Sequence, residues 1–531
     1  MPRCRLGPRI DDVMTRLRLI SVVLLAAVCS DAAAATPQSV PIDFERDILP
    51  IFTRFGCNAG SCHGKQAGQN GFKLSLLAFD ADFDFDALTK EGRGRRVFAA
   101  DPARSLLLSK PTGRNPHGGG KRIESDGPEY QRLLAWIRAG MPRRTPDASR
   151  LQKITVKPEQ EILSLKGTRQ LQVIAHYSDG SRRDVTRHTQ FQSNEAAIAG
   201  VNENGLVTAQ GIFGEAAIMA RYMGQIAVFR STIPLPGVVP QKTYDQLPRN
   251  NFIDGLVWKK LQRLRVTPSA GCSDEKYLRR VYIDIIGRLP NPKEAQSFLD
   301  DSRPDNRKRL VNTLLDHDEY AEHWANKWAD LLRPNPYRVG IKAVLNYDAW
   351  VRRAFRQNMP YDQFVRELVA ARGSTYRNGA VTLFRDRRNP AERTTIVTQL
   401  FLGIRLECAR CHHHPFEIWA QEDFYSFAAY FSRVGNKGTG LSPPISGSEE
   451  VFYSTPGTSS LTHPRTGATL SPKPLFGVAP ALDGETDPRE SLAAWITSKQ
   501  NPFFAKVMVN RVWADLMGRG LVEPVDDLRA T

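Results

Sequence analysis

At 531 residues the chain is too long for one hydrophobic core, and roughly three to five domains are expected. Its 41% hydrophobic and 24% charged content are those of globular protein, which excludes a disordered or fibrous chain. The net charge of +17 comes mainly from arginines scattered through helical segments; no nucleic-acid motif accompanies them, so they read as solvated helix faces or as a docking surface for acidic partners.

The N-terminus reads as a signal peptide over 1–35. Arg16 and Arg18 precede an apolar run from Leu19 to Val28, and Ala33-Ala34-Ala35 offers a cleavage site. The expected location is extracytoplasmic, in the periplasm or at the cell surface. No transmembrane span is expected once the signal is removed. Removal also takes Cys4 and Cys29, leaving five cysteines, of which Cys272 stands alone before a helix as an inert thiol. That odd count argues against a disulfide framework.

Residues 42–145 predict a small all-α domain. Phe44, Ile48, Ile51, Phe52 and Phe55 fall at helical spacing, Phe72, Leu74 and Leu76 alternate, and Tyr130 to Arg138 forms a second helix ending at Gly140. Residues 151–235 predict an all-β sandwich. Ser178-Asp179-Gly180 and Asn202-Glu203-Asn204-Gly205 mark turns, and Ala216, Ile218, Ala220 and Tyr222 alternate between them. Residues 236–249 form a Pro-rich linker. Residues 250–435 read as helical, with Asn291-Pro292-Lys293-Glu294 as a capping box and Tyr320, Trp324 and Trp328 as a core stripe. Residues 436–482, rich in Gly, Ser, Pro and Thr, form an irregular insert, and 483–531 begin a further helical domain that breaks off.

Two segments carry chemistry. Cys57-Asn58-Ala59-Gly60-Ser61-Cys62-His63 and Cys408-Ala409-Arg410-Cys411-His412 each set two thiols before a histidine, the pattern for covalent attachment of haem c. The thiols Cys57 and Cys62, and Cys408 and Cys411, would bond the macrocycle; His63 and His412 would hold the iron. The first spacing is stretched to four residues. A disulfide between Cys57 and Cys62 is the alternative there. At the second motif, His412-His413-His414 beside two thiols makes zinc the alternative. A sixth ligand at the first site falls to Met141, just after the helix, or to His117 in Pro116-His117-Gly118-Gly119-Gly120, with Met141 slightly preferred.

Cys57 to Gly64 with Gly71-Phe72-Lys73-Leu74-Ser75-Leu76, Pro116 to Gly120 and Trp136 to Pro142 resemble the planctomycete-type cytochrome c domain. Residues 151–235 resemble a bacterial Ig-like domain of group 2. The block Cys408 to Phe416 resembles a large helical domain of unknown function, and Asn501-Pro502-Phe503 with Val509 to Trp513 resemble the start of another. The resemblance implies haem binding and electron transfer outside the cytoplasm, while the basic charge suggests acidic redox proteins or anionic cell-wall polymers as partners. Two further readings stay open: a polysaccharide-active enzyme working on wall polymers, with catalytic residues unknown, and a cell-surface structural protein whose motifs are zinc or disulfide staples.

Overall fold

Residues 42–64, 68–144, 149–414, 417–438, 448–482 and 484–528 are described by a computed structural model; the signal-peptide expectation over 1–35 lies outside them. The chain is multidomain, with a helical N-terminal part, a β-sheet part and a mainly helical C-terminal part.

After Asp43 the chain makes a wide π turn over Phe44–Ile48 and then an α-helix over Leu49–Arg54. Pro50 explains the change of pitch, because it has no N–H to continue the regular ladder. Asp43 caps the start, its carboxylate accepting from the Arg46 N–H at 2.9 Å. Phe44, Ile48, Ile51 and Phe52 are buried against Leu133, Leu134, Trp136 and Ile137 of the helix Pro128–Arg138. Phe72, Leu74 and Leu76 do not form a strand. Left-handed backbone at Gly68, Asn70 and Gly71 folds the segment into a tight turn, in which Gln69 and Phe72 exchange two backbone bonds of 3.0 Å.

Asp84, on the helix Ala81–Thr89, is fully buried and ties this turn region to the core. It accepts from the Ser75 N–H at 2.5 Å and the Ser75 hydroxyl at 2.7 Å. Burial pushes its carboxyl up to about 7, with Asp80 adding to the rise and the Ser75 bonds and Arg143 opposing it. Between roughly pH 4 and pH 7 the folded domain therefore keeps a proton that the unfolded chain has released. Stability falls as pH rises through that window, by roughly 2–3 kcal/mol between pH 5 and pH 7.5. Melting curves of the protein and of its Asp84→Asn variant at the two pH values check this: the fall should shrink by that amount in the variant.

The β part follows the alternation in the sequence. Ala216, Ile218, Ala220 and Tyr222 of the strand Gly214–Tyr222 are buried, and the strand pairs antiparallel with Gln225–Ile233. Val173, Ala175 and Tyr177 of the strand Gln172–Tyr177 face the same core. Sheets of three, four and three strands share that core. Gly180 and Gly205, both at φ 79°, occupy the two turns marked in the sequence.

This β part docks on the N-terminal helix. Gln190 Nε2 donates to the Thr53 carbonyl at 2.6 Å, and Arg183 pairs with Asp47 at 3.3 Å. Arg54 reaches the Arg187 carbonyl at 3.0 Å and Glu203 at 3.1 Å.

In the helical part, Trp328 of the expected stripe is buried, while Tyr320 and Trp324 are only partly covered. Trp328 meets Phe364 at 5.2 Å and Phe401 at 6.4 Å. Within the segment expected to be irregular, Glu450–Ser454 pairs with Val434–Gly438 and with Gly373–Ser374. The helices Pro488–Ile496 and Pro502–Met517 do not stand apart: Leu492, Trp495 and Ile496 share one core with Phe401 and Trp328. Cys272 is exposed.

Candidate functional site

The first motif starts where its helix stops. Gly56, at φ 68°, turns the chain, and the Cys57 N–H bonds the Phe52 carbonyl at 2.8 Å. The extra residues of the stretched spacing then fold back on themselves. Cys62 N–H bonds Ala59 O at 3.0 Å, and His63 N–H bonds Cys57 O at 2.9 Å. The loop thus returns Cys62 and His63 to Cys57 despite the longer separation. Gly64 closes it: a Cβ there would lie 2.0 Å from the Asn58 carbonyl oxygen, so only glycine fits. Asn58 is fully buried and anchors the loop from below, its Nδ2 donating to Thr53 Oγ1 at 2.9 Å.

Cys57 and Cys62 are free, half-buried thiols. Burial pushes the Cys57 thiol up to about 11, with the neighbouring Cys62 adding to the rise and Arg122 opposing it. His63 is also half-buried. Its Nδ1 bonds the Phe72 carbonyl at 2.9 Å, and the Phe72 ring lies 4.5 Å away. Since that carbonyl can only accept, Nδ1 carries the proton and Nε2 keeps its lone pair. Burial lowers the pKa of His63; the Phe72 carbonyl opposes this, while nearby His117, Arg96 and Lys110 add to it. His117 lies close, its ring 6.4 Å from that of His63. Met141 sits after the Pro128–Arg138 helix and packs on the domain core. A cleft of about 550 Å³ opens behind the loop at Ala59, Gly60, Leu76, Leu77, Phe191 and Arg221, but no motif cysteine or histidine lines it.

The second motif lies on a short helical turn, Leu406–Arg410. Leu406 and Ala409 are fully buried and hold the turn to the helical core, which leaves Cys408 and Cys411 exposed. Burial raises the Cys408 pKa, with Glu407, Asp527 and Cys411 adding to the rise. His412 Nδ1 bonds the His413 carbonyl at 2.7 Å, which again leaves Nε2 open. His413 Nδ1 instead accepts from the Gln421 N–H at 3.0 Å. His414 bonds through its backbone to the Trp419 carbonyl at 2.8 Å. Among the described residues, no three His, Cys, Asp or Glu side chains converge as a set able to hold a metal ion, whereas a structural zinc needs four donors. Pro415 and Phe416 of the quoted block lie outside the described residues.

The N-terminal domain touches the second motif, which the chain positions of the two do not reveal. Phe79, of the N-terminal domain, meets His413 edge-on at 4.9 Å and His412 at 6.3 Å. Asp80 beside it pairs with Arg465 at 2.5 Å. Phe79 is tethered to the first motif, since Leu77 N–H bonds the Asn58 carbonyl at 3.1 Å. His463, far from the second motif in the chain, is buried near it. Its Nε2 lies 3.7 Å from Glu422, and its Nδ1 accepts the N–H groups of Arg465 and Thr466. No helix among the described residues is long and apolar enough to cross a membrane.

No curated protein matches the chain. Residues 252–436, which carry the second motif, match the family PSCyt2, described as Protein of unknown function (DUF1549), and residues 488–531 match PSD1, described as Protein of unknown function (DUF1553); the helical part of the chain is thus similar to the planctomycete-type domain family.

Proposed function

We propose that the protein is an exported c-type cytochrome that carries electrons outside the cytoplasm. One observation carries the reading: His63 is fixed through Nδ1 by the Phe72 carbonyl, with Nε2 open, on a loop whose backbone returns it to Cys57. A metal-binding histidine is commonly oriented in this way by a bond from its other nitrogen. Cys57 and Cys62 would bond the macrocycle covalently, and His63 would hold its iron. Haem supplies one-electron redox chemistry when bound. The chain's own part is to orient the ligand, shield it with Phe72, and surround it with cations. Arg96 and Lys110 act electrostatically on His63, and Arg122 acts on Cys57, so all three favour an acidic group nearby.

Cys408, Cys411 and His412 would hold a second haem by the same logic, since His412 repeats the Nδ1-to-carbonyl bond. The basic surface suits acidic redox proteins and anionic wall polymers as partners. The test is haem staining after denaturing electrophoresis, with iron and zinc measured on the same protein from a host that matures such cytochromes. Covalent haem and iron are expected. A colourless chain that contains zinc would give the site to a structural staple, and one without either metal would leave the paired thiols as a disulfide.

A further inference from the structure

We propose that His117 is the protein ligand opposite His63 at the first site, and that Met141 is a core residue; this rests on the haem reading above. The planes of the two imidazoles differ by only 14°, and their centres are 6.4 Å apart. Two imidazoles that hold one metal from opposite sides, with metal–nitrogen distances of about 2.0 Å, have ring centres roughly 6 Å apart. Both rings are fixed alike. His63 Nδ1 bonds the Phe72 carbonyl and His117 Nδ1 bonds the Gly120 carbonyl, each at 2.9 Å. Each Nε2 therefore keeps its lone pair, the form a metal-bound imidazole takes.

The loop around His117 leaves room for a flat neighbour. A Cβ on Gly118 or Gly120 would meet nothing within 4 Å, and one on Gly119 would come 3.0 Å from His117 Cε1. A side chain at Gly119 would push the ring from its place. Met141 is held otherwise. Its backbone is left-handed at φ 57°, its N–H bonds the Trp136 carbonyl at 2.9 Å, and its side chain packs against the domain core. Two imidazoles also give a lower potential than an imidazole and a thioether.

The test uses the full chain in a cytochrome-maturing host, with Cys408→Ala and Cys411→Ala so that the first site is observed alone. Oxidised protein should give the absorption and electron-spin-resonance spectra of low-spin iron with two imidazoles, without the charge-transfer band of a thioether ligand. Added His117→Ala should keep the covalent haem but turn high-spin, and imidazole in solution should restore the low-spin spectrum. Added His117→Met should raise the midpoint potential, and Met141→Leu should leave the spectra unchanged. A thioether band in the parent protein, or low-spin iron that persists in His117→Ala, would overturn the assignment. Spectra of the protein with both motifs intact answer the same question should the double variant fold poorly. Absence of haem from every preparation would instead remove the haem reading itself.

Discussion

On the proposed haem reading, Cys62→Ala is expected to lose covalent haem at the first motif and keep it at the second. The remaining thiol, Cys57, is a poor substitute. Burial pushes it up to about 11, and without Cys62 it could make only one of the two covalent bonds. The second motif lies on a separate turn anchored by Leu406 and Ala409. Iron per chain should fall by about half, and mass spectrometry of the proteolysed protein should find haem on the Cys408–Cys411 peptide alone. Full haem at both motifs in this variant would contradict the assignment of the first.

Arg489→Met costs the helical part about 3–5 kcal/mol, the range for removing one partner of a buried ion pair. Arg489 is fully buried, and Asp487 nearly so. The guanidinium donates to Asp487 through Nε at 3.0 Å and Nη2 at 2.6 Å, and to the Ala371 carbonyl through Nη1 at 2.7 Å. It also lies over the Phe384 ring at 4.7 Å. The substitution leaves an uncompensated carboxylate and an unpaired carbonyl in a dry interior. Chemical denaturation followed by tryptophan fluorescence checks this, because Trp328, Trp350 and Trp495 report on that core. Adding Asp487→Asn should recover part of the loss, since it removes the stranded charge. A shift below about 1 kcal/mol would mean that water reaches the pair.

Where the chemistry is local, the sequence could be read directly. Asn291 and Glu294 form the expected capping box, with bonds of 2.7 and 2.9 Å, and period-two burial marks the β strands. The paired thiols and their histidines were also plain, because residue type and spacing alone define them. What escaped was supplied by backbone or by distant segments. The Phe72 carbonyl that orients His63 has no signature in residue type, since every residue has a carbonyl. The fold-back of the stretched motif depends on turns and on Gly64, whose meaning appears only beside Asn58. The Phe79 contact with His413 joins segments far apart in the chain, and periodicity carries no information about such pairings. Asp84 carries no signature either, because its burial beneath Ser75 depends on how a distant turn folds over it.

The stretch from Asn58 to Phe79 has a mechanical consequence. Leu77 and Ala78, neither of them glycine, sit at φ 55° and 63°, each at a cost of about 1–3 kcal/mol. They bend the chain so that one end hangs from the Asn58 carbonyl and the other sets an aromatic edge against His413. This strained strut ties the loop of the first motif to an imidazole beside the second, so a displacement at either end loads the other.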